Sequence, residues 1–504
     1  MDERPHGPAQ LVIASNRGPF ERRRDKGGRV VRHRGAGGLI AVLGPALAAH
    51  GGVWVASALT DEDRAAARAL VSCGRLDVVE LPEGPVGVRL LAHDPQDYAS
   101  YYGAVSSEIL WFAQHHLLPP SAATDTADTL RAHWPGYRRV NESFAAACAA
   151  AAAPGAAVLL QDYHLSLAPR RLRALRPDVR SAHFTMTPWA EPGRFELLPA
   201  AVRRELVAGL LGADMVCFLV PRWARAFLEC CEQLGLPVER EGAREGGDGG
   251  DRGRAAVRGP DGRWSGVRCF PVGVDEGALR ARAAATDVRA HERQLRDLAG
   301  GDGVRLVVRV DRMEPSKNIP RGLRGFARFL DLYPEQHGRV VHFALAYASR
   351  GELAAYRELT REVTAAAEEI NGRFGRQGWR PVVLETHNDF GRGLAAMAQA
   401  DVLVVNPVRD GMNLVAKEGP VVSRRDLALV LSRHAGAADD LATGCTLVDP
   451  FDVGELAAAI GDALVLSPAE RASRIERLRK GAVALPPERW LRAALGELDA
   501  LTGR

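Results

Sequence analysis

At 504 residues the chain is longer than one hydrophobic core ordinarily organises, so two to three domains are expected. It is 46% hydrophobic and 25% charged with no apolar run long enough to span a bilayer, and a formal charge of +4 is too small for this length to argue for nucleic acid. No apolar segment follows the first six residues, so no secretory signal is expected; seven scattered cysteines without C-x-x-C spacing indicate neither zinc nor a disulfide framework, and so a reduced, cytoplasmic setting.

Leu11–Ala14 is a short buried-strand pattern, and the loop after it carries Arg17 where an open α/β sheet would place a phosphate. Residues 21–34, rich in Arg and Gly, read as a mobile loop or short hairpin. Gly35-Ala-Gly-Gly38 precedes an expected helix over 39–49; missing side chains let backbone approach a ligand there, although a bare Gly-Gly is more often a turn than a phosphate site. Val53–Ser57 is a strand. Residues 98–116 read as a helix with Tyr101, Tyr102 and Trp111, aromatics that are ordinarily core. Another strand, Ala156–Leu160, runs into Gln161-Asp-Tyr-His164, which puts Asp162 at a strand end, and Ser181-Ala-His-Phe-Thr-Met-Thr-Pro-Trp189 follows. Residues 239–263 are dense in Gly, Asp, Glu and Arg and are expected to be a solvated, disordered insertion before the sheet resumes at Val267–Val274.

The second half opens with the strand Val304–Val310 and a loop carrying Arg312 and Lys317, two cations able to grip a diphosphate and neutralise it as it departs. A helix over 319–333, a strand over 340–348 ending at Arg350, a helix from 351 to 370 closed by Asn371-Gly372, a strand over 382–385 and a helix over 391–400 are expected next. The most informative stretch is Asp401-Val-Leu-Val-Val-Asn-Pro-Val-Arg-Asp-Gly-Met-Asn-Leu-Val-Ala-Lys-Glu418. A buried strand (Val402–Val405) leads through an Asp-Gly turn to a helix start near Leu414. The turn at Gly411 and the backbone N–H groups of Met412, Asn413 and Leu414 suit an anion, while Asp410 and Glu418 can accept from sugar hydroxyls. The same pattern also fits a plain strand–loop–helix junction with Asp410 as a cap. Strands alternate with helices throughout both halves, which argues for two doubly wound α/β domains facing a cleft.

Arg409-Asp-Gly-Met-Asn-Leu-Val-Ala-Lys-Glu418 resembles the donor-site motif of the trehalose-6-phosphate synthase family of retaining glycosyltransferases, and similarity extends from Leu11 to about Asp452. The resemblance implies two Rossmann-like domains of the GT-B type, placed at 1–273 and 274–504, with the flexible insertion in the first and the C-terminal helices in the second. It implies transfer of a sugar from a UDP-, GDP- or ADP-sugar to a sugar phosphate such as glucose 6-phosphate, with retention, no protein nucleophile, and no cofactor or metal. The donor would meet Gly38, Met186, Arg312, Lys317, Asp410, Gly411–Leu414 and Glu418. The acceptor would meet Arg17, Tyr102, Trp111, Asp162 and Arg350, and Asp162, Arg312, Lys317 and Asp410 would carry the chemistry.

One departure stands out. Aligning Thr187-Pro-Trp189 with the family's His-x-Pro-Phe puts Met186 where the family has its active-site His, twenty-four residues after Asp162, while His183 lies three residues too early and faces the other side of a strand. A specialised secondary-metabolite (pseudo)glycosyltransferase with another donor, and a non-catalytic sugar-phosphate-binding regulator, are the alternatives. Oligomeric state is open; no membrane or nucleic-acid partner is expected.

Overall fold

The computed structural model describes residues 8–25, 27–34, 43, 44, 47, 51–73, 75–81, 84–240 and 254–503. It divides into two compact units, Met1–Pro271 together with Pro487–Arg504, and Val272–Pro486.

In the first unit the strands in chain order are β1 (Ala9–Ser15), β2 (Phe20–Arg24), β3 (Val30–Arg34), β4 (Val53–Ser57), β5 (Asp77–Leu81), β6 (Gly84–Leu91), β7 (Ala152–Gln161), β8 (Arg180–Thr185), β9 (Met215–Phe218), β10 (Val238–Arg240), β11 (Ala255–Arg258) and β12 (Trp264–Cys269). All but β2 and β3 join one sheet, ordered β10-β11-β12-β9-β8-β7-β1-β4-β6-β5. From β6 across to β12 every neighbouring pair is parallel, and antiparallel strands close both edges. Continuous apolar runs suit strands covered on both faces, and every residue of β4 and β9 is buried. β2 and β3 form a separate antiparallel hairpin, the ordered form of the basic stretch.

The second unit holds β13 (Arg305–Arg312), β14 (Val340–Tyr347), β15 (Val382–Glu385), β16 (Val402–Val405), β17 (Ala428–Ser432) and β18 (Thr446–Val448), ordered β15-β14-β13-β16-β17-β18 and wholly parallel. Counted from β13 this is the doubly wound order 3-2-1-4-5-6, and the first unit repeats it, β6-β4-β1-β7-β8-β9, counted from β1. The order reverses between β1 and β7 in one unit and between β13 and β16 in the other. Ligands of such sheets bind outside the carboxyl ends of the strands at that reversal.

Several expectations are corrected. The charge-dense stretch 239–263 is not wholly an insertion: Ala255 and Val257 are buried on the sheet face of β11 while Ala256 and Arg258 turn outward, a half-buried alternation hidden by composition. Residues 241–253 lie outside the described residues, as does Gly38 with most of the helix expected over 39–49. The last helix, Pro487–Thr502, packs on the first unit rather than the second, where Trp490 is fully buried with its indole N–H donating to the Phe270 carbonyl at 2.7 Å. The helix expected to stop at Asn371-Gly372 continues to Phe374, because the Asn371 side chain is occupied with both backbone groups of Val382 at 2.9 Å. The strand expected to run to Val274 ends at Cys269.

The segment expected to be helical over 98–116 is helical, mostly as a π-helix, Ala99–Leu110, between short α-turns Pro95–Tyr98 and Trp111–Gln114. Its i→i−5 bonding is seen where the Trp111 N–H reaches the Ser106 carbonyl. Cys230 and Cys231 are core residues of the helix Pro221–Gln233, as their pattern suggested. Among the described residues no helix is long and apolar enough to cross a membrane.

Candidate active site

In the second unit the loops after β13 and β16 meet at the strand-order reversal. β13 delivers a loop whose one-turn 3-10 helix, Pro315–Lys317, ends on Asn318 in the left-handed region at φ 58°. The Asn318 amide donates to the carbonyls of Asn406 (3.1 Å) and Pro450 (2.7 Å), and the Val408 N–H donates to Ser316 at 2.8 Å. These bonds hold the Lys317 loop against the segment leaving β16. The Lys317 ammonium reaches Asp410 at 2.5 Å, and the Asn413 amide donates to the same Asp410 oxygen at 3.0 Å. Burial pulls the Lys317 pKa down, but Asp410, Asp311 and Glu314 together carry it above the ordinary lysine value, so it stays charged.

The Asp-Gly turn is fixed from the next strand. The Asp410 N–H donates to the His434 carbonyl (3.2 Å), the Gly436 N–H to the Asp410 carbonyl (3.0 Å) and the Ala437 N–H to the Met412 carbonyl (2.7 Å). Gly436 has to be glycine, since a Cβ there would stand 1.9 Å from the Gly411 carbonyl oxygen. Asn413 at φ 79° turns the chain into the helix Val415–Val422, and its side-chain oxygen accepts from the Ala416 N–H at 3.3 Å. Glu418 lies in the first turn of that helix, and burial raises its carboxyl to about 7. Lys417, from the same motif, is structural: it is buried and donates to the Val272 carbonyl (2.7 Å) and to Asp440 (2.6 Å).

Arg312 is largely exposed and pairs at 2.9 Å with Glu314, whose side chain is buried. Ser349, at the end of β14, donates to Glu314 at 3.3 Å, and the Arg350 guanidinium donates to the Tyr356 hydroxyl at 2.8 Å. Glu314 thus gathers the two strand-end loops that present Arg312 and Arg350.

In the first unit the loops after β1 and β7 again mark the reversal. An Arg17 nitrogen lies 3.4 Å from the Tyr102 hydroxyl, and Tyr102 stacks on His164 with ring centres 6.0 Å apart. Asp162 takes φ 67°, ψ 170°, a conformation an L-residue adopts only when its surroundings impose it. Here they do. The Asp162 N–H donates to the Phe184 carbonyl at 2.6 Å, its carbonyl faces the His183 Nε2 at 3.0 Å, and its carboxylate accepts from the Met186 N–H at 3.2 Å. Burial raises the Asp162 carboxyl to about 6, partly offset by the N–H groups of Tyr163, Met186 and Thr187.

His183 is fully buried in β8 opposite Leu160, and burial lowers its pKa to about 4, so it supports Asp162 from within the sheet. Met186 lies one residue beyond the end of β8. Trp111 is almost covered, its ring 4.3 Å from His115 and 5.2 Å from Phe112. Nine residues are two and a half turns at about 3.6 residues each but roughly two turns with i→i+5 bonding, so the wider turn brings Trp111 towards the side of the helix that carries Tyr102.

Sequence reasoning missed Glu314, Thr187 and the fully buried Arg309 of β13. A charged residue inside the apolar run Val307-Val308-Arg309-Val310 was the available signal for Arg309.

Two doubly wound units, each with polar side chains gathered at its strand-order reversal, make an architecture of two Rossmann-like domains. The chain belongs to glycosyltransferase family 20, whose model matches residues 9–500. It is 34% identical over 509 residues to the trehalose-6-phosphate synthase of Mycobacterium tuberculosis, covering 100% of this chain and 96% of that one. The Escherichia coli enzyme bound with UDP-2-fluoro glucose superposes with a TM-score of 0.80 at 28% identity over 97% of this chain and 98% of that one. An α,α-trehalose-phosphate synthase (UDP-forming) from Burkholderia xenovorans in complex with glucose-6-phosphate gives 0.80 at 25% identity, over 98% and 100%.

Glu418 gives the site a proton-linked signature. Its folded carboxyl titrates near 7 against 4.5 for the free group, so above the lower value the folded chain holds a proton that the unfolded chain has released. That contribution to stability declines as pH rises towards 7 and is gone above it. Glu418→Gln is therefore expected to gain on wild type by on the order of 2–3 kcal/mol between pH 5 and pH 8, measured by urea unfolding at each pH. An unchanged difference across that range would contradict the assignment.

Proposed function

We propose that this chain transfers a sugar, with retention of anomeric configuration, from a nucleoside diphosphate sugar to a sugar phosphate, as in the formation of α,α-trehalose 6-phosphate. The observation that carries the reading is the Lys317–Asp410 pair at the strand-order reversal, beside the Gly411–Leu414 turn and Glu418. Arg312 and Lys317 are the charges for the departing diphosphate, so no metal is needed for that role. Lys317 is paired with Asp410, so the donor exchanges this contact: phosphate takes the ammonium, and a sugar hydroxyl takes the carboxylate. Glu418 serves the ribose hydroxyls.

On this reading Arg17, Tyr102, Trp111, Asp162 and Arg350 serve the acceptor. Arg17 is more than half exposed and in hydrogen-bond reach of Tyr102, which fits both for an incoming phosphate. Asp162, raised to about 6 yet held by backbone N–H groups, is suited to accept from an acceptor hydroxyl. The leaving phosphate receives the acceptor's proton on the face where the new bond forms. The reading places the protein in the cytoplasm, in keeping with seven unbridged cysteines.

The direct test is purified protein with UDP-, GDP- and ADP-glucose, scored for nucleoside diphosphate release with glucose 6-phosphate or glucose. Release that depends on the phosphorylated sugar is expected; equal rates with the two acceptors would remove the acceptor assignment. Lys317→Ala should weaken UDP binding by about 2–5 kcal/mol in calorimetry, because a charged partner of the diphosphate is lost. Unaltered affinity would remove Lys317 from the donor site.

Met186 favours a second reading of donor choice. Its backbone N–H is committed to Asp162, while its thioether is at most a weak acceptor and cannot donate to a sugar hydroxyl. A donor with an apolar edge, a 6-deoxy sugar or a pentose, packs better against it. Met186→His is expected to raise glucose transfer relative to deoxy and pentose donors by about tenfold, read from kcat/KM on each. No relative gain would show that Met186 does not set donor choice.

A further inference from the structure

We propose that Arg309 is a positioning residue of the donor site, which fixes the Lys317 loop from beneath and so aims the ammonium at the diphosphate; this rests on the donor reading above. Arg309 lies inside β13 with no exposed surface. Asp311 is two residues on and on the same face of the strand, and it takes the Arg309 Nε at 3.1 Å and Nη2 at 2.9 Å. The Nη2 edge also lies 3.0 Å from the Lys317 carbonyl and 3.0 Å from Asn406 Oδ1, and Nη1 lies 3.5 Å from the Ile319 carbonyl. One planar fork therefore binds the loop that follows β13, the start of the next helix and the segment leaving β16. Lysine, with a single point of attachment, cannot reproduce that arrangement.

The surroundings are built for the guanidinium. A Cβ on Gly322, in the helix Ile319–Leu332, would stand 2.0 Å from Arg309 Nη1, so only glycine admits it. His342, on the adjacent strand β14, is fully buried, and neither ring nitrogen has a hydrogen-bond partner among the described residues. Burial, aided by Arg309, lowers its pKa to about 3, so it is neutral and leaves Asp311 as the balancing charge. A buried ion pair adds little stability over apolar side chains of similar volume. What this one does that apolar packing cannot is grip the carbonyls of Lys317 and Ile319 and the amide of Asn406.

The experiment uses the full chain with Arg309→Met combined with Asp311→Asn, so that no unpaired charge is left in the core. Gly322→Ala is the second variant, which keeps the charge and displaces the guanidinium. UDP and uridine are the probes, each titrated by calorimetry or competition. Both variants are expected to weaken UDP by about ten- to a hundredfold and to leave uridine unchanged, because only the phosphates meet Lys317. Unchanged UDP affinity, or equal losses for UDP and uridine, would overturn the proposal. A crystal structure of the double variant decides independently of any nucleotide: Lys317 displaced from Asp410 supports positioning, and the 2.5 Å contact retained overturns it. The donor reading is judged separately on Lys317→Ala, in which Arg309 is intact.

Discussion

The reversal of strand order in each sheet is the constraint from which the rest of the structure follows. Where β1 parts from β7, and β13 from β16, the chain leaves neighbouring strands towards opposite faces, and the space between the departing loops is open at the carboxyl ends. Polar groups gather at each reversal: Arg17 and Asp162 in one unit, Lys317 and Asp410 in the other. Apolar strands buried on both faces fix where the loops begin. The loops then need only a few hydrogen bonds, such as those of Asn318, to set the position of a charge.

The two reversals use different physics to hold their side chains. In the second unit the hold is electrostatic, with Lys317, Asp410, Arg309 and Asp311 pairing under partial or full burial. In the first it is conformational. Asp162 sits in a left-handed backbone state, kept there by hydrogen bonds to Phe184, His183 and Met186 from the next strand. Burial raises the carboxyls of both Asp162 and Glu418 towards neutrality.

Much of this was legible in the sequence. Apolar runs such as Val53–Ser57 and Val402–Val405 are strands with the expected bounds, because a strand buried on both faces leaves a continuous signal. The Asp162 to Met186 spacing is likewise realised as a direct hydrogen bond. What was not legible depends on partners distant in sequence. Arg309 looks like a surface charge until Gly322 and Asn406 are seen around it, and β11 is hidden because its two inward residues sit among charged neighbours. The last helix returns to the first unit because Trp490 finds Phe270 and Phe184 there, a preference no local pattern encodes.

The wide helix over Ala99–Leu110 carries a consequence for how such a chain can change by insertion and deletion. Loss of one residue between Tyr102 and Trp111 would be absorbed without breaking the helix, since the tighter α-turn is the more stable geometry. Yet eight residues at about 100° each would leave Trp111 about 80° away from Tyr102 around the helix axis. The segment is thus sensitive to length rather than to composition. Its buried residues, Tyr101, Val105, Ile109 and Leu110, could be exchanged for others of like size more safely than any single codon between them could be dropped.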